Sequence, residues 1–448
     1  MELNFVSVEG HSKNYKIAVG VLAGLFLLGL ICYGISYYKG HYLFGSSNVI
    51  PWGFPIVLTI YFIGLSAGSL ILSTLVYVFG QEKYKPIGRM AVLLAIVLIF
   101  GALIGIAIDL GRPENFWRLF MFFYWNNMTS MFAINGILYS GYFIISIAYL
   151  GIILSGNKAW MKRWGILAIG WAALVHMGTG AIFGFMAARE AWFTPIKPLE
   201  FLTCAITSGL ALLIVVLVLT MKFTGRDLRK DMVVSLSRLL IMFICILALL
   251  IFLDKMTHLY SPERAAVMFS LTGQYAWIFW VLQIGLVVVL PLIILFNKKL
   301  RTVNWIFIAS VSVVIGIFFE RYFLVISQAA FPQHYYPGHI EGVYGAVGTF
   351  AITPVEMGIT LGIFTMVGLL FLLGLKFLKA LPEKTAEELA AEAAKLAPPK
   401  AEEPLKTEAS PKAAESSAAD APQKTEEAAK TDAPSENTHA NPDENKSS

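Results

Sequence analysis

The sequence predicts an all-α integral membrane protein of about ten transmembrane helices, and three observations predict it. The 448-residue chain is 57% hydrophobic and only 14% charged, whereas soluble domains carry about 25% charge. Its apolar stretches reach the roughly 18 residues that a helix needs to cross the hydrocarbon core of a bilayer. No stretch alternates apolar and polar residues as a membrane strand would, which leaves helices as the spanning structure that satisfies its own backbone in lipid.

Taken in order, the first span, 17–37, follows Lys13 and Lys16. It is too long for a signal-peptide core and no small-residue cleavage site closes it, so it reads as a retained span. The second, 51–79, opens at Pro51-Trp52-Gly53 and carries the small-residue run Gly64-Leu65-Ser66-Ala67-Gly68. The third, 87–110, ends in Asp109-Leu110-Gly111-Arg112-Pro113-Glu114, where the proline stops the helix. Spans four to six are 130–154, 164–187 and 201–221, bounded by Lys162, Arg163, Arg226, Arg229 and Lys230. Spans seven to ten are 236–253, 275–296, 303–326 and 350–378, with Lys298, Lys299 and Arg301 between eight and nine. Residues 1–16 precede the 17–380 membrane domain, and 381–448 form a tail.

Charge separates these parts. From Leu381 onward there are 8 Lys/Arg against 15 Asp/Glu, a net of −7, and no Phe, Tyr or Trp. Such a segment buries too little apolar surface to offset its ordering entropy, so the tail is expected to be disordered. In the body, 18 Lys/Arg lie at the N-terminus, in the even-numbered loops and before the tail, and 8 lie on the other side. The positive-inside rule then places both termini in the cytoplasm of a multi-pass inner-membrane protein. The positive charge is dispersed over short loops, which argues against nucleic acid as a partner. The patterned residues gather instead in the outer loops, including Arg189-Glu190-Ala191-Trp192 and His334-Tyr335-Tyr336-Pro337-Gly338.

Cys32, Cys204 and Cys245 stand alone in apolar stretches. A cluster or a structural zinc takes about four ligands, so neither an iron–sulfur cluster nor a metal is expected in this protein. His176 lies mid-span with Thr179 on the same face; it fits either a hydrogen bond to a neighbouring helix or a proton relay, since imidazole titrates near neutrality. A haem held by two histidines needs a second mid-membrane histidine, and there is none, so no haem is expected. Ionisable residues inside a bilayer cost at least ~2.5–3.5 kcal/mol at its centre, which singles out Asp109, Asp254, Glu320, Arg321 and Glu356. Asp109 is expected to pair with Arg112 at the end of span three. Glu320 and Arg321, adjacent and so diverging on their helix, are each expected to pair with another helix, Arg321 with Glu356. A proton path is the other reading of these groups.

Together Pro51-Trp52-Gly53, Gly64 to Gly68, Asp109 to Glu114, His176-Met177-Gly178-Thr179-Gly180, Glu320-Arg321-Tyr322 and Thr353-Pro354-Val355-Glu356 resemble the NrfD/PsrC family of respiratory membrane subunits. Residues 336–342 look most like the branch found in sulfite-reductase-associated electron-transfer complexes (DsrP). The resemblance spans roughly 45–375. It implies two four-helix bundles plus flanking helices, about 51–187 and 201–326, with a quinone site near the outer face of the first bundle. It implies menaquinone or another quinone as substrate, no redox cofactor in this protein, and a ferredoxin-like iron–sulfur subunit on the outer face, with further membrane and cytochrome subunits. On that resemblance His176, Asp109, Arg112, Tyr139, Trp52 and Thr179 are candidate quinone contacts, and Asp254, Glu320, Arg321 and Glu356 candidate proton-transfer groups. Arg189, Glu190, Trp192, His334 and Tyr336 are candidate docking residues. The first span of that bundle lacks the interior histidine or asparagine several relatives use there. The alternative function is a secondary transporter or proton-translocating subunit without quinone chemistry.

Overall fold

Ten helices are long and apolar enough to cross a membrane. The computed structural model describes residues 4–226, 228–262, 264–332 and 347–383. His334, Tyr336, the 336–342 stretch and the tail beyond Glu383 lie outside the described residues. The spans are α1 (Lys13–Lys39), α2 (Phe54–Tyr77), α3 (Lys85–Asp109), α4 (Met131–Ser155) and α5 (Lys158–Gly184). They continue with α6 (Lys197–Thr224), α7 (Lys230–Tyr260), α8 (Ile278–Phe296), α9 (Val303–Ser327) and α10 (Pro354–Phe377).

Local chemistry sets where these helices start and stop. Prolines 55, 86, 198 and 354 sit in first turns, where a missing N–H costs nothing. Asn157 caps α5 by accepting from Trp160 N–H, and Thr353 caps α10 by accepting from Glu356 N–H. α7 runs well past both ends of its apolar core, because Lys230, Asp231, Lys255 and His258 continue the helical hydrogen bonding after the hydropathy stops. In α8 the turns widen to π-helix over Ile278–Val289. Pro291 follows them. It lacks the N–H and its ring crowds the preceding turn, a recognised cause of such local rearrangement.

Packing closes two rings. α2, α3, α4 and α5 contact one another in sequence and α5 returns to α2. α6, α7, α8 and α9 do the same, with α9 returning to α6. The rings join where α6 meets α2 and α5 and where α9 meets α2. The small-residue run of α2 explains this seam: a Cβ on Gly68 would strike the Gly209 backbone, so the α2 and α6 main chains touch directly. α10 lies on α3 and α2, and α1 packs on α10.

The strand β1 (Phe5–Val6) pairs antiparallel with β2 (Leu381–Pro382), register Phe5↔Pro382. This pairing ties the residues before α1 to those after α10, so both lie at one end of the bundle, as an even number of spans requires. Most Lys and Arg lie here, which makes it the basic end of the molecule.

Candidate functional site

Three polar assemblies are buried among the spanning helices, all three toward the end opposite the basic one. The first sits at the start of α2. Glu356, fully buried on α10, accepts from Phe54 N–H at 2.6 Å and from Gly45 N–H at 3.3 Å. Phe54 is the first residue of α2, so a carboxylate occupies the positive end of that helix dipole. A Cβ on Gly53 would collide with the Glu356 carboxylate, so a larger residue there displaces the carboxylate from its place at the start of α2. Asp109, the last residue of α3, lies in electrostatic reach of Glu356. Gly111 then takes φ 71, the left-handed conformation that glycine tolerates best, and Pro113 opens the following turn.

Glu356 therefore caps α2 rather than pairing with Arg321. Arg112 is exposed, and none of the ion pairs among the described residues joins it to Asp109.

The second assembly lies between α4 and α5. Tyr139 and Thr179 share a hydrogen bond of 2.9 Å, and Thr179 Oγ1 donates to Val175 O at 2.7 Å, so Tyr139 is the donor to Thr179. One turn away on α4, Asn135 Nδ2 donates to Met131 O and Gly178 O, while its Oδ1 has no partner among the described residues. Buried His176 faces two backbone carbonyls, Ala172 O of its own helix and Ile63 O of α2, the latter at 2.8 Å. A neutral imidazole has one N–H and satisfies one of them. With the proton on Nε2, His176 donates to Ile63 O and ties α5 to α2.

Trp52 stands nearby in an aromatic group: it stacks on Trp192 with ring centroids 5.7 Å apart and contacts Phe132 and Phe183. Trp192 is itself 1% exposed and donates through Nε1 to Leu324 O at 2.8 Å. Half-buried Arg189 donates to Ala329 O and Val49 O, and burial lowers its pKa from the ordinary arginine value. Glu190 is partly buried beside them. Trp192 and Arg189 tie the 189–192 loop to the end of α9 and the segment before α2.

The third assembly is the most highly charged. Lys197 on α6 bonds to Glu200 at 2.8 Å and to Asp254 of α7 at 3.2 Å, and Lys255 bonds to Asp254 at 2.9 Å. Arg321 of α9 lies 3.1 Å from Glu320, donates to Cys204 Sγ at 2.9 Å and sits 4.0 Å over the Phe201 ring. As expected, Arg321 reaches across to another helix, but to Cys204 and Phe201 of α6 rather than to Glu356, and the adjacent Glu320 and Arg321 side chains also pair with each other. Three cations therefore face three carboxylates, with His258 beside Asp254 at 3.7 Å. All seven side chains are buried.

This network is incompletely satisfied. Asp254 Oδ1, His258 Nε2, Gln283 Oε1 and Gln328 Oε1 have no hydrogen-bond partner among the described residues, and buried polar groups in native proteins rarely lack one. A cavity of ≈10 Å³ lined by Lys197, Glu200, Lys255, Gln283, Glu320 and Gln328 is about the room that one water needs. Two π-helical stretches border it, Ile278–Val289 carrying Gln283 and Phe323–Ser327 at the end of α9, and such turns recur at functional sites.

Sequence reasoning singled out Asp254, Glu320 and Arg321 but not Lys197, Glu200, Gln283 or Asn135. The available signals were an i,i+3 Lys/Glu pair entering a span and single amides inside apolar runs. Among the described residues no group of three or more His, Cys, Asp and Glu is arranged to hold a metal ion.

Comparison with known proteins places this arrangement. The family model described as polysulphide reductase, NrfD, matches residues 43–333. The protein is 35% identical over 401 residues to an Hdr-like menaquinol oxidoreductase integral membrane subunit of Archaeoglobus fulgidus, a match that covers 88% of its own length and all of that relative. It is 33% identical to a selenate reductase subunit of Mesobacillus selenatarsenatis, over 80% of its own length and 92% of that relative. It is 25% identical to a polysulfide reductase polypeptide of Wolinella succinogenes, over 63% of its own length and 96% of that relative. By these matches the protein belongs to the polysulphide reductase NrfD family, and its ten long apolar helices make it a multi-pass membrane protein.

Proposed function

We propose that this protein is the quinone-interacting membrane subunit of an oxidoreductase complex, exchanging electrons between a membrane quinone and an iron–sulfur partner subunit docked at the end opposite the basic one. The relative from Archaeoglobus fulgidus, whose name specifies menaquinol, aligns along its entire length, which makes menaquinone the first substrate to test. The observation that carries the reading is the buried, charge-balanced network of Lys197, Glu200, Asp254, Lys255, Glu320 and Arg321 with its unsatisfied polar atoms. A charged cluster inside an apolar bundle is costly, so its retention points to function. Quinol oxidation releases two protons with its two electrons, and such a cluster supplies carboxylates to receive them.

In this reading the headgroup sits at the Tyr139–Thr179 pair, with Trp52 walling the ring and His176 positioning α5. Asp109 and Glu356 accept protons at the start of α2, Arg112 lies at the mouth, and Asp254 and Glu320 relay protons in the second ring while Arg321 holds Glu320 in place. Both termini lie in the cytoplasm of an inner-membrane protein, by the 18-to-8 Lys/Arg bias.

The test is purification of the complex in mild detergent with its partners, followed by quinone extraction and assay of quinol oxidation and quinone reduction. About one quinone per complex and turnover in at least one direction are expected. A pure, stable complex with neither would overturn the proposal.

A further inference from the structure

At the basic end an open cleft of ≈390 Å³ lies where the loop between α2 and α3 meets α7, lined by Lys83, Asp231, Val234, Ser235 and Arg238. The four α7 residues fall at i, i+3, i+4 and i+7, one stripe of the helix, while Met232, Val233, Leu236 and Ser237 are buried on its other side. A 2.8 Å hydrogen bond between Tyr84 and Ser235 hydroxyls fixes the loop to this stripe. None of the ion pairs among the described residues involves Lys83, Asp231 or Arg238.

Depth favours a lipid as occupant. α7 has 31 residues, about 46 Å at 1.5 Å per residue, against a hydrocarbon core of ~30 Å. Its first turns therefore emerge into the headgroup layer, and Arg238 stands near the boundary. Continuing along the same stripe, Met242, Ile246, Leu249 and Leu253 are exposed, an apolar track that begins where the charged cleft ends.

We infer that this cleft holds the headgroup of a zwitterionic aminophospholipid, its phosphate between Lys83 and Arg238, its ammonium at Asp231 and an acyl tail along the α7 track. Two cations match the phosphate, and the acid in the same cleft favours a headgroup that also carries a positive charge.

The test is lipid binding to the intact complex in nanodiscs of mixed phosphatidylethanolamine and phosphatidylglycerol, read with spin-labelled lipids and by analysis of retained lipid. Wild type should immobilise the ethanolamine lipid preferentially. K83Q and R238Q should each weaken retention about fivefold, the effect of one juxtamembrane cation. D231N should erase the preference between the two lipids while retaining phosphate binding. Inorganic phosphate should fail to displace the label. Unchanged retention in both cation variants, equal binding of the two lipids to wild type, or displacement by phosphate alone would overturn the proposal. K83Q and R238Q are conservative changes at exposed positions, and assembly of each variant is checked by size-exclusion chromatography.

Discussion

Replacing Asp254 with Asn tests the buried network most sharply. Asp254 is fully buried and its Oδ2 accepts from both Lys197, at 3.2 Å, and Lys255, at 2.9 Å. The substitution keeps the size and removes the charge, so three buried cations then face two carboxylates. Removing one partner of a buried ion pair typically costs about 3–5 kcal/mol because an uncompensated charge remains. Adding Lys197→Gln restores neutrality, so the double variant should be more stable than Asp254→Asn alone. The coupling should fall at the upper end of the range for interacting neighbours, about 2–3 kcal/mol. The assay is equilibrium unfolding of the purified subunit in mixed micelles of mild detergent and SDS, followed by tryptophan fluorescence, for the four members of the cycle. A loss under about 1 kcal/mol for Asp254→Asn, within the range of an exposed pair, with no coupling to Lys197→Gln, would show that the charges do not hold one another as described.

Three further outcomes follow from the same geometry. Glu356→Gln removes a charged acceptor from Phe54 N–H and should cost about 1.5–3 kcal/mol in the same assay; an unchanged midpoint would refute its capping role. Gly68→Val forces a branched side chain into the Gly209 backbone and should lower stability by about 1–3 kcal/mol or more, with Gly68→Ala intermediate; a neutral Gly68→Val would mean that the two rings do not meet there. Tyr139→Phe deletes the donor to Thr179 and should cost only about 1 kcal/mol of stability while lowering quinol turnover at least tenfold; normal turnover would move the headgroup site elsewhere.

Much of the fold was legible because lipid imposes one strong rule, a long apolar run per span, and each run met that rule by itself. The ends of α7 were not legible, because charged residues such as Lys230 and Lys255 end a hydropathy peak without ending a helix. Single ionisable residues inside spans were legible for the same reason that spans were, and Asp254, Glu320 and Arg321 do converge. Their partners were not, since Lys197 and Glu200 sit at a span entrance where charge is ordinary, and only the packing of α6 against α5, α7, α8 and α9 makes them buried. The pairing of Glu356 with Arg321 failed because a helix N-terminus across the interface, at Phe54, offered the carboxylate a donor that no charge count reveals. Trp192 was expected on a docking surface from its place in a loop, yet its indole is packed against Trp52 and Phe183. Aromatic residues in membrane-edge loops do not declare from sequence which way they turn.

The central claim, that a quinone headgroup binds between α4 and α5, is tested most directly by photolabelling. A photoreactive azido-menaquinone applied to the assembled complex in lipid should label peptides from α4 and α5 around Asn135, Tyr139 and Thr179, with labelling suppressed by excess menaquinone. Labelling that is confined to other subunits, or that falls only on lipid-facing surfaces and is not suppressed by menaquinone, would contradict the account.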